Sequence, residues 1–409
     1  MMIWSPFGSS NKVDKYFQDL FNTLLGDYVY PTTGQGQISV LLLNDETVEN
    51  YLDGRWPAPY SFYGSVLEDL LEHQPKAVFI DFYWMDRQKP DKEYLILVLK
   101  MYQEKGIPIY LAMQDQQDLE LNWPELKQLI IPVSPAVQVD GDDFISRSYP
   151  LTNNGLKSPA AAMYGDLYDS EALLNCPIDI VWGTAANQQN NAWMVGSVSE
   201  IDLVGIVTEG LNSIDRKTPY TTTVFVRDLV NPTGASFEEA IKDLDNHLKD
   251  RVVFFGGNLS GIQDLVFTPT REILPGVYYH AMGLDNLLSY GSNYKSDEKS
   301  FELQTGLPIH ALHLIILLPL CIFIVLSNGD LVRISKHKTI NHILSVSFIG
   351  VWIVAWILLC FNWLNLSVSV WVGYIQLIGL GFFLDKLDLL DRLHHTSKSG
   401  FHYIRQWVA

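Results

Sequence analysis

Cysteine is almost missing from this chain of 409 residues, which has three. Cys176 stands alone in the first 305 residues, and Cys321 and Cys360 fall in apolar runs near the C-terminus. Neither a disulfide framework nor a cysteine-rich metal site can be built from them. Basic residues are also scarce: 28 Lys and Arg stand against 46 Asp and Glu, for a formal net charge of −18. Only 7 of the basic and 4 of the acidic residues lie from Gly306 onward, so residues 1–305 hold 21 basic against 42 acidic side chains. Binding phosphates takes clusters of Lys and Arg, so a region this acidic excludes nucleic acid as a partner. Its charge serves solubility. Familiar catalytic signatures are absent as well. There is no Gly-x-Ser-x-Gly elbow and no His-Glu-x-x-His pair. The GGNLSG stretch at 256–261 lacks both the Gly-Lys-Ser/Thr ending of a P-loop and the spacing of a dinucleotide fold. It reads as a tight turn in which glycine permits positive φ. No cofactor is implied, and the chain reads as a non-enzyme.

Long apolar runs are missing from residues 1–305, and then three follow in succession, at about 307–327, 343–364 and 366–384. Crossing a bilayer takes roughly 20 mostly apolar residues in a helix. The expectation is three transmembrane helices within 306–385, followed by a short tail at 386–409. Arg333, Lys336 and Lys338 lie between the first and second runs, and Lys386, Arg392, Lys398 and Arg405 lie beyond the third. The connection near Asn365 carries no charge. Cytoplasmic loops are enriched in Lys and Arg, which puts the C-terminus in the cytoplasm and the large N-terminal domain outside the bacterial cytoplasmic membrane, in the periplasm or, in a single-membrane cell, extracellular. Residues 1–30 show no signal-peptide apolar region. Val13, Tyr16, Phe17, Leu20, Phe21, Leu24 and Leu25 recur instead at helical spacing, as an amphipathic helix. Export of the domain then requires an upstream segment or translocation driven by the first C-terminal helix.

Residues 31–305 alternate strand and helix patterns. ISVLLL at 38–43, AVFIDFYW at 77–84 and residues 107–113 read as buried strands. Residues 63–73 and 93–105 have helical periodicity, and so does 158–167, with Pro159 in its first turn. Ser236 followed by Glu239 has the capping-box spacing, opening a helix to Lys249. A strand at 251–255 and a helix at 277–290 close the region. This alternation predicts an α/β fold with a mostly parallel, doubly wound sheet.

Ligands of open parallel sheets collect at the carboxyl ends of the strands. Three acids fall there: Asp45 after the first strand, Asp81 late in the second, and Asp264 beyond the glycine-rich turn. His280 opens the last helix. Such oxygen and imidazole groups suit a divalent metal or another ligand. The same residues equally serve as a structural polar cluster, with Asp45 capping a helix, Asp81 bonded to backbone amides, Asp264 capping a turn and His280 packed.

The order of motifs is distinctive. An apolar strand ends in Asn-Asp-Glu at 44–46, followed by Trp56-Pro57, a helix and Ile80-Asp81-Phe82. Asp140-Gly141 precedes Arg147 and Pro150. Then come Val252–Gly256, Asp264, Thr268-Pro269, Pro275-Gly276-Val277, His280-Ala281 and Leu287-Leu288. The series resembles the type-2 CHASE sensory domain over about residues 15–290, most specifically from Val252 to Leu288. The resemblance implies an extracytoplasmic sensor that signals through the membrane to a cytoplasmic cyclase or kinase. The usual basic residue after the Trp-Pro loop is replaced by Pro59-Tyr60. Some 25 residues follow Leu384, too few for a catalytic output domain. The leading expectation is therefore a membrane sensor or accessory protein acting on a separate signalling partner, which its tail contacts through Arg392, His394, His395 and Arg405. The alternatives are a structural docking subunit of a cell-envelope complex and a metal-assisted periplasmic enzyme.

Overall fold

The computed structural model describes residues 15, 16, 18–20, 22, 23, 26, 30–84, 91–168, 176–185, 187, 219–232, 236–262, 264–270 and 272–296, with 351, 355 and 358. The three apolar runs and the tail with Arg392, His394, His395 and Arg405 lie outside these residues, save Val351, Ala355 and Leu358. Among the described residues no helix is long and apolar enough to cross a membrane.

Twelve strands are described. They are β1 (Ile38–Asn44), β2 (Ala77–Ile80), β3 (Ile109–Ala112), β4 (Ile131–Val133), β5 (Ser148–Tyr149), β6 (Thr152–Asn153), β7 (Leu156–Lys157), β8 (Ile178–Asp179), β9 (Thr222–Phe225), β10 (Val252–Asn258), β11 (Leu265–Phe267) and β12 (Ile273–Pro275). Six of them form one sheet in the order β4-β3-β2-β10-β1-β9. Every pairing in it is parallel. The last of these six strands in chain order, β10, enters the middle, with Ile38 to Asn44 of β1 in register against Val252 to Asn258 on one side and β2 on the other. A central parallel strand is covered on both faces, which is why β10 opens on the continuous apolar run Val252–Phe255, all of it buried.

Successive side chains of a strand point to opposite faces, and helices cover both. On one face α2 (Tyr60–Glu72) and α3 (Lys92–Glu104) bury Val66, Leu67, Leu70, Leu95, Val98 and Leu99 against Leu41, Leu43, Val78, Ile80, Val253 and Phe255. On the other, α8 (Gly276–Tyr290) brings His280 against Phe79, which packs edge-on to Phe254. The remaining helices are α1 (Asp45–Leu52), α4 (Gln116–Asn122), α5 (Pro159–Leu167), α6 (Val226–Val230) and α7 (Phe237–Leu248). The expected cap forms, Ser236 Oγ accepting from Glu239 N–H, and Ser158 Oγ caps α5 likewise by accepting from Ala161 N–H.

Four local expectations change. The second strand stops at Ile80, so Asp81 follows it instead of lying inside; its N–H still donates to Phe255 O at 2.8 Å, and its side chain emerges where the ladder ends. Residues 178–182, whose apolar pattern also predicts a short strand, pair over only two residues. The glycines of GGNLSG do not make a positive-φ turn: β10 runs through Gly256, Gly257 and Asn258. Glycine is needed at 256 for room, because a Cβ there would lie 2.6 Å from Val277 Cβ on α8. Finally, the N-terminal helix turns polar residues inward. Asp19, Asn22 and Thr23 are all buried, because Asp19 is the partner of a buried arginine, Arg147.

Candidate functional site

The carboxyl ends of β1, β2 and β10 lie side by side, and each carries polar chemistry. After β1, Asn44 caps α1 by accepting from Thr47 N–H at 3.0 Å. Asp45 is therefore not the cap. Its carboxylate reaches across to the loop after β10, accepting from Ser260 N–H at 3.0 Å and from Ser260 Oγ at 2.5 Å. Asp45 thus fastens the glycine-rich stretch to the start of α1.

Asp81 and Asp264 form the second feature. Asp264 precedes β11, and its backbone carbonyl accepts from Gly276 N–H, the first residue of α8, at 2.9 Å. Its carboxyl lies over Gly276, where a Cβ would meet Oδ1 at 2.5 Å. Asp264 stays open to solvent while Asp81 is half-buried. Loss of hydration raises the pKa of Asp81 well above the usual carboxylate range, and the neighbouring Asp264 raises it further. Asp264 also moves upward, by desolvation, and its openness to water fits the smaller displacement. Neither carboxylate has a hydrogen-bond partner among the described residues, so the backbone-bonded role expected of Asp81 is not seen. Two like-charged acids without donors favour sharing a proton.

His280 sits one turn into α8, fully packed. Burial lowers its pKa to about 3, so the ring is neutral. Its Nδ1 lies 3.0 Å from the Tyr149 hydroxyl, in a hydrogen bond whose direction follows the ring's tautomer, and the Pro135 backbone works against the lowering. Tyr149 also receives Ala160 N–H at 3.2 Å and feels the charge of Asp81. Asp81 and Asp264 are thus electrostatic neighbours, Tyr149 feels Asp81 and bonds His280, and Asp45 is engaged elsewhere. Among the described residues no group of three or more His, Cys, Asp or Glu side chains is arranged to hold a metal ion.

Two acids escaped the reading of the sequence. Asp285, on the inner side of α8, is buried, and the Tyr30 hydroxyl donates to its Oδ1 at 2.5 Å. Desolvation raises its pKa to about 7, against the lowering effect of the Tyr30 and Ser289 bonds. An acid among the inward positions of an otherwise apolar helix was the available signal. Asp19 had none, since its partner lies 128 positions away.

A family model for the CHASE2 domain matches residues 1–324. The chain belongs to the CHASE2 domain family. CHASE2 domains are sensory, and the match spans the six-stranded sheet, the Asp81–Asp264 pair and α8. No curated protein and no solved structure matches the chain.

Proposed function

We propose that this CHASE2 protein is a non-catalytic sensor held in the bacterial cytoplasmic membrane, its sheet domain outside and its C-terminus inside, acting on a separate signalling protein. The observation that carries the reading is the acid pair at the root of α8. Asp264 touches the first residue of that helix by both backbone and side chain. Asp81 directly follows β2, the neighbour of β10 in the sheet. A change in charge at this corner, by ligand, cation or proton, acts on the helix whose sequence leads, after a polar stretch from Gly291 to Gly306, into the first apolar run. A signal needs two states that a stimulus binds unequally, and an acid pair that is neutral in one state and charged in another supplies such a difference.

The position of the three apolar runs and the Lys/Arg bias of their flanks support the membrane reading. The tail residues Arg392, His394, His395 and Arg405 are the proposed contact with the partner.

Inserting a flexible Gly/Ser segment after Asn293 tests the coupling. If α8 drives the membrane segments, a strain carrying the insertion fails to complement a deletion of the gene, although the protein is made at normal levels. Full complementation by the insertion variant means that the domain is only tethered.

A further inference from the structure

The β11–β12 hairpin leaves a row of large apolar side chains in water. Leu265 and Phe267 are each 46% exposed and Ile273 is 54% exposed. Phe267 stands directly opposite Ile273 in the antiparallel register. Leu265 is two residues from Phe267, so all three share one face of the ribbon. On the other edge of β11, Ile145 bridges to Phe267, and Ser146 N–H donates to the Phe267 carbonyl at 2.8 Å. That bridge sets the 139–145 loop alongside, with Val139 and Phe144 also exposed. The ribbon is well fixed. Val266 is buried on its inner side, and Thr268 N–H and Glu272 O close the turn at 3.0 Å. A single exposed apolar side chain is ordinary, but a contiguous row marks an interaction surface.

The rim of this row is acidic. Asp140, Asp142 and Asp143 line the neighbouring loop, Asp264 precedes Leu265, and Glu272 precedes Ile273. Arg147 pairs with Asp19, Asp140 and Asp143, and its single positive charge balances one of these three carboxylates. Arg271, in the turn, lies outside the described residues. We propose that this ribbon docks a partner protein whose contact surface is apolar and ringed by Lys and Arg. A second copy of the chain would set acids against acids, and an anionic bilayer would repel the rim. The proposal is independent of the sensory reading, since the docking face needs neither proton nor ligand at Asp81.

The test places a photoreactive benzoyl-phenylalanine at position 267 of the full-length protein in cells of its source, with position 97 as control. Leu97 is an exposed apolar residue on α3. Irradiation is followed by mapping of the cross-linked residue on the captured molecule. The expected result is one protein adduct from position 267, none from 97, attached at an apolar residue within a Lys/Arg-rich surface. Its yield falls several-fold with Asp142→Lys, with Ile273→Ser and at about 0.5 M salt, where screening is nearly complete. Should Ile273→Ser lower the melting temperature, Phe144→Ser on the adjacent loop gives the same reading without touching the hairpin. Cross-linking to a second copy of the chain, to lipid or to nothing overturns the proposal. So does a protein adduct indifferent to Asp142→Lys and salt.

Discussion

Arg147 grips Asp19 with two parallel hydrogen bonds, Nε to Oδ1 at 2.8 Å and Nη2 to Oδ2 at 2.9 Å, across 128 residues of sequence. Both side chains are buried, and Asp140 and Asp143 take the remaining donors at 3.3 and 2.7 Å. The pair bolts the N-terminal helix to the loop that precedes β5. Removing one member of a buried pair leaves the other charge without compensation, at about 3–5 kcal/mol. Arg147→Ala should destabilise the domain by that order. Arg147→Lys should fall in between, since an ammonium cannot reproduce the fork. Denaturant unfolding of the two variants measures both; a cost below about 1 kcal/mol for Arg147→Ala would contradict the clamp.

Asp285 predicts a pH effect of definite sign. Its carboxyl is protonated more readily in the folded domain than in the unfolded chain, with a folded pKa of about 7. Its contribution to stability is therefore intact below the unfolded value near 4 and is lost as pH rises through about 7. The loss amounts to at most about 4 kcal/mol, taking 1.36 kcal/mol for each unit of pKa. His280 acts the other way. Its folded pKa, about 3, lies below the unfolded value, so its contribution is lost as pH falls from about 6.5. The wild-type profile mixes the two, so the difference between wild type and Asp285→Asn is the informative curve. It should decline from pH 4 to 7, and a flat difference would mean that Asp285 is already solvated.

His280 itself should be silent to titration. With Nδ1 bonded to Tyr149 and the ring held neutral by burial, its ring proton resonances should stay fixed between pH 5 and 8, while exposed histidines shift. His280→Leu leaves the Tyr149 hydroxyl without its ring partner and should cost about 1–3 kcal/mol. A midpoint near 6.5 for this ring would remove the basis for its structural assignment.

Gly256→Ala tests the contact between sheet and helix at the acid corner. The new Cβ would lie 2.6 Å from Val277 Cβ, and Val277 is stiff and buried. Overpacking of this kind costs about 1–3 kcal/mol. Gly257→Ala meets only Phe82 Cε1, at 3.2 Å, and should cost less. Equal melting temperatures for the two variants would show that α8 moves away freely.

The elements that were legible in the sequence are those with a strong pattern. ISVLLL and VVFF are continuous apolar runs, and only a buried parallel strand of that length fits them. Ser236 with Glu239 marked a helix start that the hydrogen bond confirms. Strand β9 (Thr222–Phe225) escaped, because its two threonines hide a buried strand at the sheet's edge. Strand β4 escaped because Pro132 argues against a strand, yet an edge position tolerates it. At the candidate site, sequence placed Asp81 and Asp264 near the carboxyl edge of the sheet, but not their electrostatic coupling. Proximity of charges far apart in the chain has no local signature, as Asp19 and Arg147 also show. The N-terminal helix was read by its apolar stripe, of which Val13, Phe17, Phe21, Leu24 and Leu25 lie outside the described residues, and the buried Asp19 gave no signal beside it.

The central claim is a sensory domain outside the membrane joined to a cytoplasmic tail, and accessibility of two positions tests it most directly. Single cysteines are introduced at Leu97 and at Ser399 in a chain freed of Cys176, Cys321 and Cys360. Intact cells are then treated with a membrane-impermeant maleimide small enough to cross the outer membrane. The account predicts labelling at position 97 in intact cells, and at 399 only after the inner membrane is opened. Labelling of 399 in intact cells, or protection of 97, would contradict it.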